Sequence, residues 1–206
     1  MRKEGEYNRS MIGLPDHPLV STGIAWTTSV QTVTLSPDQY CESRDRMDRR
    51  IGVLRNELRK SAYNENATLL LGAVASEIGG NSFDHNLGQW KDIPGVLFAH
   101  DIQKESAMVV LGDRGQGILT TLQKVRSELQ TDEEALKTAF LERISARAPE
   151  RRGNGLKFVR KTMFADGIDL LFQSGMAQYA IVNKLEDWGT SKVSVLGCLA
   201  ILIVHP

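Results

Sequence analysis

Residues 65–86, ENATLLLGAVASEIGGNSFDHN, followed by GVLFAHDI at 95–102 and SAMVVLGD at 106–113, decide the architecture. The first stretch reads as one helix starting near Glu65. Leu70, Val74 and Ile78 recur at four-residue steps as an apolar stripe, and Glu77, Asn81 and His85 recur at the same step as a polar one, with Asp84 beside it. The two later stretches are short apolar runs joined by Gln103-Lys104-Glu105, a hairpin pattern. A long two-faced helix leading into antiparallel strands predicts an α+β chain: a two-layer α/β sandwich, mostly antiparallel sheet, with helices on one face. No strand–helix–strand alternation calls for a doubly wound parallel sheet.

Towards the N-terminus, residues 1 to about 20 read as a polar arm, and TGIAWTTSVQTVTL at 22–35 as one or two strands because it is rich in Thr, Val and Ile. Ser36-Pro37-Asp38 reads as a helix start, and Tyr40, Met47, Ile51, Leu54 and Leu58 form the apolar stripe that follows. Residues 1–60 are thus expected to pack on, or extend, a main domain of residues 61–206. Towards the C-terminus, Ile118 to Glu128 reads as helix or helical loop, and Thr131 to Glu134 as a capping box opening a helix to about Arg147. A further helix ends near Asp166-Gly167. Three strands follow: IDLLFQ (168–173), AQYAIVN (177–183) after a turn at Ser174-Gly175, and KVSVLGCLAILIV (192–204).

Composition narrows the function classes. The chain has 206 residues, enough for one domain with a sizeable core, and 25 basic residues balance 25 acidic ones. A net charge of zero gives no electrostatic case for nucleic acid or an anionic membrane. Cys41 and Cys198 form neither a disulfide framework nor a CxxC pair, so a reduced, cytoplasmic protein is expected. The apolar run Val193 to Val204 is too short to span a bilayer, and MRKEGEYNRS lacks the apolar stretch of a signal peptide.

Three polar motifs carry the chemistry. On the helix, Asn81 offers a neutral oxygen to a hard cation such as magnesium, and Glu77 can orient or deprotonate a water or a hydroxyl. Gly79-Gly80 inside that helix costs about 1 kcal/mol per Gly against Ala, which a closely approaching neighbour would explain. Asp113 follows a hydrophobic strand and is followed by Gly115 and Gly117, which allow a sharp turn and close approach to a ligand. Arg151, Arg152, Gly153, Asn154, Gly155 and Leu156 open an apolar helix, where free amides and arginines favour an anion. GDRGQG is not GxGxxG, and no GxxxxGK[ST] loop exists, so Rossmann and P-loop readings fail.

In this order and spacing the motifs resemble the N, DxGxG and GxG boxes of the GHKL superfamily, which includes the gyrase ATPase domain, the large heat-shock chaperone, sensor histidine kinases and MutL. The resemblance runs from about Ala67 to Pro206. It implies the Bergerat ATP-binding fold, with ATP and magnesium as ligands and Asn81 as the metal contact. It also implies that Asp113 reads the adenine amine, that Gly115, Gly117, Asp84, His85 and residues 152–156 complete the nucleotide site, and that residues 118–152 are a lid. Gly197-Cys198 stands where family members often place Gly-Thr, which puts Cys198 near the adenine. The compact build is nearest to anti-sigma-factor serine kinases, where a glutamate at the position of Glu77 is the base. No helix carries the phosphorylatable His-Glu or His-Asp of sensor kinases. The expected activity is ATP hydrolysis or phosphate transfer to a partner protein. The alternative is a nucleotide-gated binding switch with little catalysis, in which residues 1–60 offer a contact to a second copy.

Overall fold

The helix expected from Glu65 is the spine of the molecule. In the computed structural model, which describes residues 15–30, 33–61, 63–142 and 155–206, it is α3 (Glu65–Asn86). Asn64 caps it by accepting from the Ala67 N–H at 2.7 Å. Leu71, Val74, Ala75 and Ile78 are buried on one face, with Leu70 at its margin. Before it come α1 (Pro18–Thr28), β1 (Tyr40–Cys41) and α2 (Arg44–Lys60); after it come β2 (Val96–Ile102), β3 (Ala107–Asp113), α4 (Gly117–Gln123), α5 (Asp132–Leu141), α6 (Gly155–Asp166), β4 (Asp169–Val182) and β5 (Leu185–Val204). The strands form one antiparallel sheet in the order β1-β2-β3-β5-β4. Helices α2, α3, α5 and α6 cover one face, meeting Phe98, Val109, Leu111, Phe172 and Ala200 in the main core. This is the two-layer α/β sandwich that the sequence predicts. No helix among the described residues is long and apolar enough to cross a membrane.

Helix α2 belongs to this core: Met47, Ile51, Leu54 and Leu58 are buried, each worth roughly 1.5–3 kcal/mol. A Cβ on Gly79 would collide with Met47, and one on Gly72 with the Arg55 side chain, so these glycines let α2 lie close on α3. The helix does not start at Ser36. That segment is a turn, with the Gln39 N–H donating to Ser36 O at 2.9 Å, and Tyr40 pairs with Leu97 in the sheet instead of joining the apolar stripe. Ser43 is the cap, accepting from the Arg46 N–H at 3.3 Å. Arg46 and Arg50 both donate to Pro37 O at 2.8 Å, tying the turn to the outside of the helix.

The segment expected as strands at 22–35 is instead helix as far as Thr28. Pro18 sits in the first turn, and Thr22, Thr27 and Thr28 donate to the carbonyls four residues back, at 3.0, 2.8 and 2.7 Å. Val20, Gly23, Trp26 and Thr27 share its buried face. That face covers the other side of the sheet, against Leu97, Val110, Leu171, Leu199 and Ile201. A Cβ on Gly23 would lie 2.8 Å from Val110 Cγ1, so the helix nearly touches the sheet.

The last strands are bent. The Asn183 N–H donates to Asp169 Oδ1 at 2.8 Å, and Gln178 Nε2 to Gln173 Oε1 at 3.1 Å. A straight strand between residues 169 and 183 would cover roughly 45 Å at about 3.3 Å per residue. Strand β4 therefore folds back on itself, at the register shifts around Ser174 and Gly175, where Gly175 takes φ 57°. The turn expected at Ser174-Gly175 is that fold. A second reversal at Asn183 and Lys184, both with positive φ, leads into β5, whose first part (paired with 177–182) precedes the strand expected at 192–204.

Candidate functional site

The three motifs meet along the C-terminal half of α3. The second motif reaches it at Asp113, the last residue of β3, which is 2% exposed. Its Oδ1 accepts from Asn86 Nδ2 at 3.1 Å and the Gly115 N–H at 2.9 Å, and its Oδ2 from Ser82 Oγ at 2.8 Å. The Cys198 backbone N–H on β5 supplies a further donor. Burial raises the Asp113 pKa above the ordinary carboxylate value, and these donors oppose the rise. A Cβ on Gly197 would collide with this carboxylate, so β5 passes directly beside it. Burial, then the Asp113 carboxylate, push the Cys198 thiol well above its ordinary value.

The loop after Asp113 is clamped. Asn86 Oδ1 accepts from the Gln116 N–H at 3.0 Å, Gln116 Nε2 donates to His85 O at 2.6 Å, and Gly115 has no room for a Cβ against the Asn86 amide. Gly117 adopts φ 78°, a left-handed conformation that favours glycine. The Ile118 N–H then donates to Ser174 Oγ at 2.9 Å, which anchors the start of α4 on β4.

The third motif reaches α3 at Glu77. A Cβ on Gly155 would collide with the Glu77 carboxylate, which lies over the first residue of α6. At the other end of the pair Asn66 Nδ2 donates to Asp166 Oδ1 at 3.0 Å, so the helices run antiparallel. A carboxylate there is favoured by the helix dipole. Leu156 packs at the edge of the main core. Arg151, Arg152, Gly153 and Asn154 lie outside the described residues.

The polar stripe of α3 divides. Glu77 and Asn81 are half-buried, and neither side chain hydrogen-bonds to another described residue. Asp84 is turned to α2, where it pairs with Arg44, whose guanidinium also donates to Gly80 O at 2.9 Å. His85 faces the end of α4; burial and then the Lys124 ammonium lower its pKa. Among the described residues no three His, Cys, Asp or Glu side chains are grouped to hold a metal ion.

The segment expected as a lid is docked as far as it is described. Leu122, Leu129, Ala135, Leu136 and Phe140 are buried, and Asp132 Oδ2 accepts from the Met176 N–H at 2.8 Å. The capping box at Thr131 and Glu134 is present, and α5 ends at Leu141; residues 143–154 lie outside the described part.

Three residues of the site and its support, Ser82, Asn86 and Arg114, carry no signal in the sequence. Ser82 and Asn86 lie inside the quoted stretch, yet their contacts need the third dimension. Arg114, with no exposed surface, pairs through both Nε and Nη2 with Asp92 and caps the C-terminal turn of α1 by donating to Trp26 O. Its hydrogen bonds hold Asp92 below the usual carboxylate range. Lying between the motif residues 113 and 115, Arg114 has no spacing of its own to mark it. No protein-family model matches this chain, and no curated protein matches it.

Proposed function

We propose that this chain is a magnesium-dependent ATP-binding protein of the GHKL type, acting in the cytoplasm, that hydrolyses ATP or transfers its phosphate to a partner protein. The observation that supports it is the meeting of three motifs on one helix: Asp113 and Gly115 against Asn86, and Gly155 against Glu77. The buried Asp113 carboxylate accepts the exocyclic amine of adenine. An ionised carboxylate has about four acceptor positions, so the amine displaces the Ser82 hydroxyl, the most mobile of the donors already there. Asn81 offers an oxygen atom that no other described residue engages. This suits magnesium, which takes one or two protein oxygens and completes its shell with phosphates and water. Bound there, the ion would neutralise phosphate charge. Glu77 acts as the base towards a water or a partner's hydroxyl.

Calorimetry with ATP and GTP, each with magnesium, tests the reading: ATP binds and GTP binds far more weakly. Glu77→Ala keeps the ATP affinity within a few-fold and loses about 10²–10⁴ of turnover or phosphate transfer. Equal affinity for the two nucleotides overturns the adenine assignment. Unchanged turnover in the variant overturns catalysis by Glu77, and the chain then reads as a nucleotide-gated switch.

A further inference from the structure

We infer that Asn86 sets the purine specificity of this site, by holding Asp113 in the form that accepts from a 6-amino group and refuses a 6-oxo group. The inference rests on the adenine reading above and deepens it.

The geometry fixes the orientation of the Asn86 amide. Its oxygen takes the Gln116 N–H at 3.0 Å, a group that can only donate. The amide nitrogen is then the atom that faces Asp113 Oδ1, at 3.1 Å. The Gly115 N–H donates to the same oxygen at 2.9 Å, and Ser82 Oγ donates to Oδ2 at 2.8 Å. Asn86 is 4% exposed, and Gly115 packs against its amide with no room for a Cβ.

The consequence is chemical. A carboxylate only accepts, so it matches the amine of adenine and repels the O6 of a 6-oxo purine. A carboxylic acid also donates, so it tolerates O6. Burial favours the acid; donors favour the carboxylate. The donors on Asp113 come from α3 (Ser82, Asn86), from the loop (Gly115 N–H) and from β5 (Cys198 N–H). Among the described residues the other titratable group facing it is the Cys198 thiol, which burial keeps neutral. The neighbouring Arg114 guanidinium is directed away, to Asp92 and Trp26 O. Removing the Asn86 donor therefore shifts Asp113 towards its acid form, and the preference for adenine becomes dependent on pH.

The test compares ATP with inosine triphosphate by calorimetry, on wild type and Asn86→Ala, between about pH 6 and pH 8. In Asn86→Ala the ATP preference is lost on acidification at a higher pH than in the wild type, because the donor that favours the Asp113 carboxylate is gone. A variant that weakens both nucleotides alike at every pH overturns the inference and leaves Asn86 a packing residue, while the adenine reading stands. Wild type that binds neither nucleotide overturns both. Infrared spectra without nucleotide give a second readout: the band of a protonated buried carboxyl emerges at higher pH in Asn86→Ala than in wild type. Its emergence at the same pH in both overturns the inference.

Discussion

At the scale of the residue, two buried charges of the site, Asp113 and Arg114, are each held by named neighbours. Asp113 and Arg114 are adjacent in sequence and serve opposite faces of the sheet. Asp113 faces α3; Arg114 reaches α1 through Trp26 O and crosses the loop to Asp92. Losing one partner of a buried pair costs about 3–5 kcal/mol, and the partial exposure of Asp92 places Asp92→Asn near the low end. The pH dependence has a definite sign. The folded-state pKa of Asp92 is lowered, so its contribution is full above the ordinary carboxylate range and is lost as pH falls through it. Chemical denaturation of wild type and Asp92→Asn should show a stability gap at neutral pH that closes on acidification. A gap independent of pH would mean that Asp92 acts through packing. The motif residues are legible in the sequence because each motif is a local string. Arg114, Ser82 and Asn86 are not, because a side chain's partner across a sheet or between helix and strand leaves no mark in local spacing.

Elements are legible where one local signal is complete. The apolar stripe of α3, the Thr131 capping box of α5 and the β2–β3 hairpin each carry their own period, start or turn, and the structure follows them. Helix α1 departs from its sequence pattern because Thr, Val and Ile favour strands, while what makes it a helix is the sheet surface under Gly23 and Thr27. Likewise the start of α2 lies at Ser43, since Tyr40 and Cys41 are taken up by β2. Two glycines give a paired test. Gly52 in α2 has nothing within 4 Å of the place a Cβ would occupy, so Gly52→Ala gains about 1 kcal/mol of helix propensity. Gly23 in α1 has Val110 Cγ1 at 2.8 Å and Leu199 Cδ1 at 3.0 Å from that place, so overpacking of about 1–3 kcal/mol outweighs the same gain. Thermal melting should move up for the first variant and down for the second. A rise in both would show that the α1 contact yields freely.

At the scale of the whole molecule, β5 does two jobs. Its first part pairs with the second half of β4, and its last part lies between β3 and the first half of β4. Along that last part Leu199, Ala200, Ile201 and Leu202 are buried, and they alternate between the two cores. A fragment of residues 1–192 should therefore fail to protect the amides of β3 in hydrogen exchange, although the β2–β3 hairpin is intact in sequence; protection in that fragment would show that the hairpin is stable without its third strand. The same arrangement sets a timetable for the newborn chain. Leu111 leaves the ribosome long before Ala200, its partner across the sheet, has been made; at about 5–20 residues per second the wait is on the order of ten seconds. Through that interval Val109 and Leu111 present an apolar, unpaired strand edge, the kind of surface that holding chaperones bind and that neighbouring nascent chains on a crowded messenger can join.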